Sequence, residues 1–165
     1  MTSEESVSEQ PAEETAVAES KGALNMLDLD GERFRLSDYR GKKIYMKFWA
    51  SWCTVCLAGM EELEALSQDP DRNFEVVTVV SPSYGNEMDI EDFRKWFAKQ
   101  EHHNFRVLID ENGEIAQWYG IRGYPTAFFI DPNGAVKVFQ GDLRNDMIRK
   151  VFASEMMNGE TSEGD

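Results

Sequence analysis

The amino-acid sequence predicts an α/β fold in which helices cover both faces of a mixed β-sheet whose middle strands are parallel. Two observations lead to this prediction. Apolar runs rich in β-branched and aromatic residues alternate with segments whose apolar residues recur every three or four positions, which indicates strands alternating with amphipathic helices. Towards each end of the chain, two apolar runs flank a short turn, which is typical of an antiparallel hairpin.

Each element follows from a local pattern. In the first hairpin, apolar and polar residues alternate on either side of Asp30-Gly31, a strong turn signal. The run 74–80 is apolar on both faces, so we predict a central strand. The second hairpin turns at Asp131-Pro132-Asn133-Gly134. In order, the predicted elements are strands 24–29 and 32–36, a helical turn 37–41, strand 43–49, helix 53–67, strand 74–80, helix 87–98, strand 105–109, helix 114–119, strands 126–130 and 135–139, and helix 143–156.

The only two cysteines of the chain, Cys53 and Cys56, lie where the apolar strand 43–49 is followed by a helix. The helix is indicated by apolar residues at spacings of three and four that begin at Cys56, with glutamates between them. A helix N-terminus carries free N–H groups and the positive end of the helix dipole, so it stabilises an anion. The thiol of Cys53 is therefore expected to be more acidic than a free cysteine, whose pKa is roughly 8.5.

The spacing of these cysteines favours dithiol redox chemistry. Cys56 lies one helical turn after Cys53 on the same face, so the two sulfurs can close and open a disulfide with little backbone movement. Cys53 is the predicted attacking thiol and Cys56 the resolving thiol. Zinc binding and a structural disulfide remain alternatives, although zinc needs four ligands as a rule and the other soft candidates are only His102 and His103. Haem attachment needs a histidine where the chain has Leu57.

The formal net charge is −14, and most of it lies at the two ends of the chain. Residues 1–20 contain six acidic residues and no basic one, and residues 154–165 contain four more, so the part between them carries only about −4. No nucleic-acid partner is expected, because no segment is basic enough. We predict a disordered acidic linker at 1–22, one domain at 23–156 and a disordered tail at 157–165.

The sequence shows no signal peptide and no membrane-spanning stretch, so either the protein is cytosolic or a leader has been removed from its front. A long acidic spacer before a compact domain fits the removal of a leader or lipid anchor. Two cysteines do not decide the compartment by themselves. Our expectation is an extracytoplasmic protein, anchored to the membrane or carried as a surface lipoprotein.

The Trp-Cys-x-x-Cys motif after an apolar strand, together with Gly123-Tyr124-Pro125-Thr126, resembles the thioredoxin fold. More narrowly, residues 23–153, with their N-terminal hairpin and inserted helix 87–98, resemble the TlpA/ResA type of extracytoplasmic thiol-disulfide reductases. The string 47–53 and Ser81-Pro82 are similar to two kinds of relative within this type. One is the thioredoxin-like domain fused to methionine sulfoxide reductase modules, and the other is a free-standing lipoprotein of Gram-positive surfaces.

The resemblance implies a substrate-binding surface around Cys53. Pro125 is expected to be a cis-proline facing the two cysteines, and Tyr124 to face a bound partner chain through its backbone. Trp52 is expected to pack beside an exposed Cys53. We expect no cofactor and no metal. The substrate-binding residues that it implies are Trp52, Thr54, Val55, Tyr124 and Pro125.

Two positions depart from the resembled type. Where many thioredoxins have a buried aspartate this sequence has Lys47, and where many TlpA/ResA-type proteins have a glutamate it has Gly59. Neither usual acid is therefore available to take the proton of Cys56. Lys47 is expected to be exposed, and a buried, neutral lysine that acts as a base is the alternative. Glu61 and its neighbour Glu62 are substitutes by proximity only.

The function that the resemblance implies is reduction of protein disulfides. The implied client is a methionine sulfoxide reductase, which its own catalysis leaves with a disulfide, and the implied electron source is a membrane thiol donor of the CcdA/DsbD type. An oxidase that installs disulfides in exported proteins and a binding module with a structural disulfide remain alternatives. A monomer is expected.

Overall fold

The computed structural model describes residues 24–154, so the predicted linker at 1–22 and the predicted tail at 157–165 lie outside the described residues. The strands are β1 Met26–Asp28, β2 Arg33–Phe34, β3 Ile44–Phe48, β4 Glu75–Val80, β5 Val107–Ile109, β6 Thr126–Ile130 and β7 Val136–Gln140. The α-helices are α1 Thr54–Ala58, α2 Met60–Gln68, α3 Ile90–Ala98, α4 Glu114–Trp118 and α5 Asn145–Ala153. Short 3₁₀ helices cover Leu36–Tyr39 and Glu111–Gly113.

The strands form a mixed sheet in the order β2-β1-β5-β4-β3-β6-β7. The central strands β3, β4 and β5 are parallel, with Met46 paired with Val77 and Val79 paired with Leu108. The first hairpin joins the sheet through β1, antiparallel to β5, and the second through β6, antiparallel to β3. The predicted mixed sheet with parallel strands in its middle is confirmed.

Helices pack on both faces of this sheet, as predicted. On one face, α2, α3 and α5 bury Leu63, Phe93 and Phe152 in one core cluster. On the opposite face, α4 buries Ile115 with Phe128 of β6 in a second cluster. Every residue of β3 and β6 is buried, because both faces of these strands are covered.

The inserted helix α3 anchors the chain segment that follows β3. The ring of Trp49 is almost fully buried and packs against Phe93, Trp96 and Phe97, with ring centroids 5.7, 6.2 and 6.0 Å away. Aromatic pairs at such distances add to the free energy gained from burial. The contacts of Trp49 with α3 therefore fix the position of the segment before Cys53.

The boundaries of some elements differ from the prediction. The helix predicted at 53–67 is two helices, α1 and α2, because the chain bends at Gly59, whose N–H donates to the carbonyls of Cys56 and Leu57. Glycine is the residue that most weakens a helix interior after proline. The last helix is shorter than predicted and covers Asn145–Ala153. Within residues 24–154, no helix combines the length and the apolar character needed to cross a membrane.

Candidate active site

Cys53 caps the N-terminus of α1. Its backbone is extended, with φ −89° and ψ 107°, and its N–H donates to the carbonyl of Ala50 at 3.1 Å. Its Sγ accepts the N–H of Cys56 at 3.2 Å, so the sulfur takes the place that a serine or aspartate oxygen takes in an ordinary helix cap. A negative charge on this sulfur would face the free N–H groups of the first helical turn.

Cys56 lies in the first turn of α1 and is 2% exposed. Burial raises the pKa of its thiol to about 12, and the hydrogen bond with Cys53 acts in the same direction. The ammonium group of Lys47 opposes this rise. Cys56 therefore keeps its proton at neutral pH in the reduced protein, and the positive charge of Lys47 favours the loss of that proton.

The expected exposure of Cys53 is wrong, because only 6% of the residue is exposed. The loop that carries Tyr124 lies against it, and the Cys53 Sγ is 3.7 Å from the carbonyl oxygen of Tyr124. The peptide bond between Tyr124 and Pro125 is cis. Access to the sulfur is therefore through the space between the N-terminus of α1 and this loop.

Apolar side chains surround this entrance. Trp52 is 49% exposed and meets the ring of Tyr124 edge to face, with ring centroids 5.9 Å apart. Val55 is exposed on the same turn, and so is Thr54, while Pro125 is buried beneath them. The structure thus brings Trp52 and Tyr124 together beside Cys53, and the substrate-binding role of all five residues stays a prediction.

The ring of Tyr124 is supported from behind by a buried polar chain. Burial raises the pKa of the Tyr124 hydroxyl to about 12, and a hydrogen bond with Ser81 opposes the rise. Ser81 in turn donates to Asp110 at 2.9 Å, and the same carboxylate accepts the N–H groups of Ile115 and Ala116 at the start of α4. The loop opposite Cys53 is therefore tied to the C-terminal ends of β4 and β5.

Lys47 is buried, so the expectation that it is exposed is wrong. Its residue exposure is 5%, because it lies on β3, the strand that is covered on both faces. Its Nζ is 3.2 Å from the Oδ1 of Asp142, a residue that follows β7. A Cβ added to Gly59 would lie 3.7 Å from the same Nζ, which places the ammonium directly behind the end of α1.

The two glutamates that follow Gly59 lie at different distances from Lys47 and the cysteines. Glu61 is exposed and its charge acts on His102, at the far side of α2. Glu62 lines the cavity that reaches Lys47. The structure therefore brings Glu62, but not Glu61, to the space behind the cysteines, and a role of Glu61 in proton transfer stays a prediction.

Two functional candidates escaped the sequence analysis. Asp142 is separated from Lys47 by 95 positions, and no spacing pattern connects the two. Glu87 is buried beside the loop before Cys53, where its carboxylate accepts the N–H of Ser51 at 2.8 Å and the Ser51 hydroxyl at 2.6 Å. The only sequence signal for Glu87 was its position at the entrance to an amphipathic helix.

The acidic, histidine and cysteine side chains of the described residues do not cluster. Between residues 24 and 154, no group of three or more histidine, cysteine, aspartate or glutamate side chains could hold an ion together. His102 instead pairs with Glu64, whose Oε1 is 3.0 Å from its Nδ1. The arrangement of Cys53 and Cys56 is suited to forming and breaking one sulfur–sulfur bond.

Comparison with known proteins gives consistent matches. A family model described as Redoxin matches residues 10–151. A protein of Haemophilus influenzae described as uncharacterised is 44% identical over 133 residues, which are 80% of this chain and 85% of that protein. The thiol-disulfide oxidoreductase ResA of Geobacillus thermodenitrificans is 33% identical over 148 residues, which are 86% of this chain and 80% of that protein.

Solved structures agree with these matches. The pneumococcal exposed lipoprotein thioredoxin Etrx1 of Streptococcus pneumoniae superimposes with a TM-score of 0.74 at 38% identity. The match covers 79% of this chain and 97% of the pneumococcal chain. The predicted thioredoxin-like fold and the predicted resemblance to the TlpA/ResA type are confirmed.

Proposed function

We propose that this chain, which belongs to the Redoxin family and is a thiol-disulfide oxidoreductase, works in the reducing direction on protein disulfides. The observation that carries the proposal is the pair of sulfurs at the start of α1. Cys53 Sγ accepts the Cys56 N–H at the entrance, and Cys56 lies behind it, buried and protonated. The first position suits attack on a client, and the second suits its release.

The reaction transfers two electrons. The Cys53 thiolate attacks one sulfur of the client disulfide, whose S–S bond breaks, and the other client sulfur leaves as a thiolate that takes up a proton. Cys56 then loses its proton and attacks the Cys53 Sγ, so that the bond between Cys53 and the client breaks and the second client sulfur is also protonated. The client disulfide ends as two thiols, and Cys53 and Cys56 end as a disulfide.

The reducing direction is supported by the resemblance of residues 23–153 to the TlpA/ResA type of thiol-disulfide reductases. The strength of a dithiol as an oxidant depends on how far its surroundings stabilise the attacking thiolate in the reduced form. The reduction potential of the Cys53–Cys56 pair therefore decides the direction.

The proposed client is an extracytoplasmic methionine sulfoxide reductase, and the proposed electron source is a membrane thiol donor of the CcdA/DsbD type. The client proposal rests on the similarity of the string 47–53 and of Ser81-Pro82 to thioredoxin-like domains that serve such enzymes. The proposed location outside the cytoplasm is supported by the description of Etrx1 as an exposed lipoprotein.

The direction of electron flow is tested by the reduction potential, measured by equilibration with dithiothreitol and glutathione buffers. We expect a value near that of thioredoxin, about −270 mV, and a value near about −120 mV would instead indicate an oxidase. In the same series, catalytic amounts of the protein with dithiothreitol should precipitate insulin. Failure of the wild-type protein to accelerate insulin reduction would favour a binding module with a structural disulfide.

The client is tested by competition. Oxidised methionine sulfoxide reductase, disulfide-bonded insulin and an oxidised CxxCH apocytochrome peptide are offered together to the reduced protein. We expect the sulfoxide reductase to be reduced first, with the Cys53→Ser variant as the inactive control. Equal rates for all three would leave the reductase function standing and remove the assignment of the client.

A further inference from the structure

The second step of the exchange requires that a buried thiol lose its proton. We propose that Asp142 receives the proton of Cys56, and that Lys47 holds this carboxylate behind α1 and stabilises the thiolate that forms. Both residues act on Cys56, Asp142 as the proton acceptor and Lys47 as a positioning residue. The inference rests on the proposed function, because only dithiol exchange requires Cys56 to ionise.

The ion pair connects the interior of the protein with its surface. The side chain of Lys47 is 6% exposed and that of Asp142 is 38% exposed, and Lys47 Nζ donates to Asp142 Oδ1 at 3.2 Å. A buried lysine is costly unless its charge is paired. The position of Lys47 on β3 brings its ammonium close enough to act on Cys56. The buried positive charge therefore lies where it assists ionisation of the Cys56 thiol.

A cavity of about 620 Å³ joins the ion pair to solvent. Lys47 lines it from β3, Val55 and Gly59 from α1 and its C-terminal end, and Asp142 and Leu143 from the segment between β7 and α5. Because Gly59 has no side chain, the wall between the Cys56 turn and Lys47 is thin. A water molecule in liquid occupies about 30 Å³, so this cavity has room for several water molecules beside Lys47 and Asp142.

Four other titratable groups line this cavity, and none of them is paired with Lys47 in the structure. Arg144 and Asp146, on the α5 side, pair with each other at 3.1 Å. Burial raises the pKa of the Tyr45 hydroxyl on β3, so it stays neutral. Glu62 reaches the cavity from α2. Asp142 is the carboxylate that is paired with the buried lysine, which distinguishes it from Glu62 and Asp146.

The proposed step balances as follows. In the mixed disulfide, the proton of Cys56 passes through water in the cavity to the Asp142 carboxylate, and the resulting thiolate stays next to the Lys47 ammonium. The thiolate attacks the Cys53 Sγ and the client leaves as a thiolate. Asp142 then returns its proton to solvent, and the departed client thiolate takes up one proton from water.

The test separates the two steps with 5,5′-dithiobis(2-nitrobenzoate). Attack by Cys53 releases the first nitrothiobenzoate, and attack by Cys56 on the mixed disulfide releases the second. For Asp142→Asn at pH 7, we expect an unchanged first phase and a second phase slower by a factor of about 100, the lower end of the range for the loss of a general base. Above pH 10 the second phases of variant and wild type should converge, because hydroxide then removes the proton. Asp146→Asn, in the same cavity, should keep the wild-type second phase.

A rescue variant keeps the test informative. The backbone of Gly59 has a negative φ of −96°, and a Cβ there meets nothing closer than 3.7 Å, so a side chain fits. Asp142→Asn combined with Gly59→Glu, which offers a carboxylate to Lys47 from the opposite wall, should recover the second phase to within about threefold of wild type. Gly59→Gln in the same background should not recover it.

The outcomes separate this inference from the proposed function. If the wild-type protein releases no nitrothiobenzoate and reduces no insulin, the proposed function fails. If both phases are normal in the wild type and Asp142→Asn keeps the wild-type second phase at every pH, only the assignment of Asp142 is overturned. Equal recovery by Gly59→Glu and Gly59→Gln would also overturn it, because the charge would then be irrelevant.

Discussion

The two sides of the CxxC turn have opposite surroundings, although their sulfurs are three residues apart. The client side, defined by Trp52, Val55 and Tyr124, is apolar; Trp52 and Val55 are exposed and Tyr124 is half-buried. The rear side, defined by Cys56, Lys47 and Asp142, is polar, and its thiol and its lysine are almost fully buried. One side carries exposed aromatic and aliphatic side chains, and the other holds a protonated thiol and an ion pair.

Under the proposed function, this difference corresponds to the two steps of the exchange. Capture of a client needs contact area, which exposed aromatic and aliphatic side chains supply. Release needs a thiolate in a buried place, which an opposing charge and a path for the proton supply. Separate variants should therefore impair the two steps separately.

The largest expected effect concerns the support of the client side. Glu87→Ala leaves the N–H groups of Ser51 and Met88 and the Ser51 hydroxyl without their buried acceptor. We expect the free energy of unfolding to fall by about 2–3 kcal/mol. Urea denaturation at pH 7 measures this. Glu87→Gln keeps one carbonyl acceptor and should lose less; an Ala variant as stable as wild type would show that the loop before Cys53 is held by other contacts.

The next effect concerns the rear side. Lys47→Met removes the ammonium that opposes the high pKa of Cys56, so the pKa should rise further and the second phase of disulfide exchange should slow by about tenfold, or about 1.4 kcal/mol. The free energy of unfolding should change by less than about 1 kcal/mol, because methionine fills a similar volume without a buried charge.

Lys43→Met is the matched control for this variant. Lys43 precedes the same strand but donates to the carbonyl of Phe152 at 2.8 Å, away from the cysteines. Stopped-flow measurement of both exchange phases compares the two lysines. An equal slowing in both variants would mean that the charge behind Cys56 has no special role.

A smaller effect is expected from the exposed aromatic surface. Trp52→Ala should raise the KM for a protein disulfide about five- to tenfold, while the second phase with the small aromatic disulfide stays within about threefold of wild type. Trp118→Ala is the control, because Trp118 is similarly exposed, at 52% against 49%, but lies at the end of α4. Steady-state kinetics with insulin would contradict the assignment if both tryptophans behaved alike.

The smallest effect is expected for the pair of His102 and Glu64, which belongs to neither the client side nor the rear side. The hydrogen bond with Glu64 raises the pKa of His102, so the stabilisation is complete below the unfolded value of about 6.5 and is lost as the pH rises through the folded pKa. His102→Gln should therefore lower the urea midpoint slightly at pH 6 and leave it unchanged at pH 9. A larger difference at pH 9 than at pH 6 would contradict the pairing.

Much of the client side could be predicted from the sequence, because its determinants are local. The apolar strand, the change of period at Cys56 and the spacing of the two cysteines all lie between residues 43 and 67. The break at Gly59 was missed since the periodic pattern continues across it. The burial of Cys53 was missed too, because it depends on a loop 71 positions away.

The rear side could not be predicted in the same way. A lysine in an apolar strand is usually exposed, and the burial of Lys47 becomes understandable only once its partner carboxylate is known. That partner, Asp142, is reached through a hairpin whose register must be known first. Glu87 is hidden for the same reason, since its contact with Ser51 spans 36 positions.

The division of labour between the two sulfurs is tested most directly by trapping. Cys56→Ser and Cys53→Ser are each incubated with a disulfide-bonded protein, and covalent adducts are resolved by non-reducing mass spectrometry. We expect Cys56→Ser to accumulate a mixed disulfide through Cys53 and Cys53→Ser to accumulate none. Adducts of equal yield in the two variants would contradict the assignment of an attacking Cys53 and a resolving Cys56.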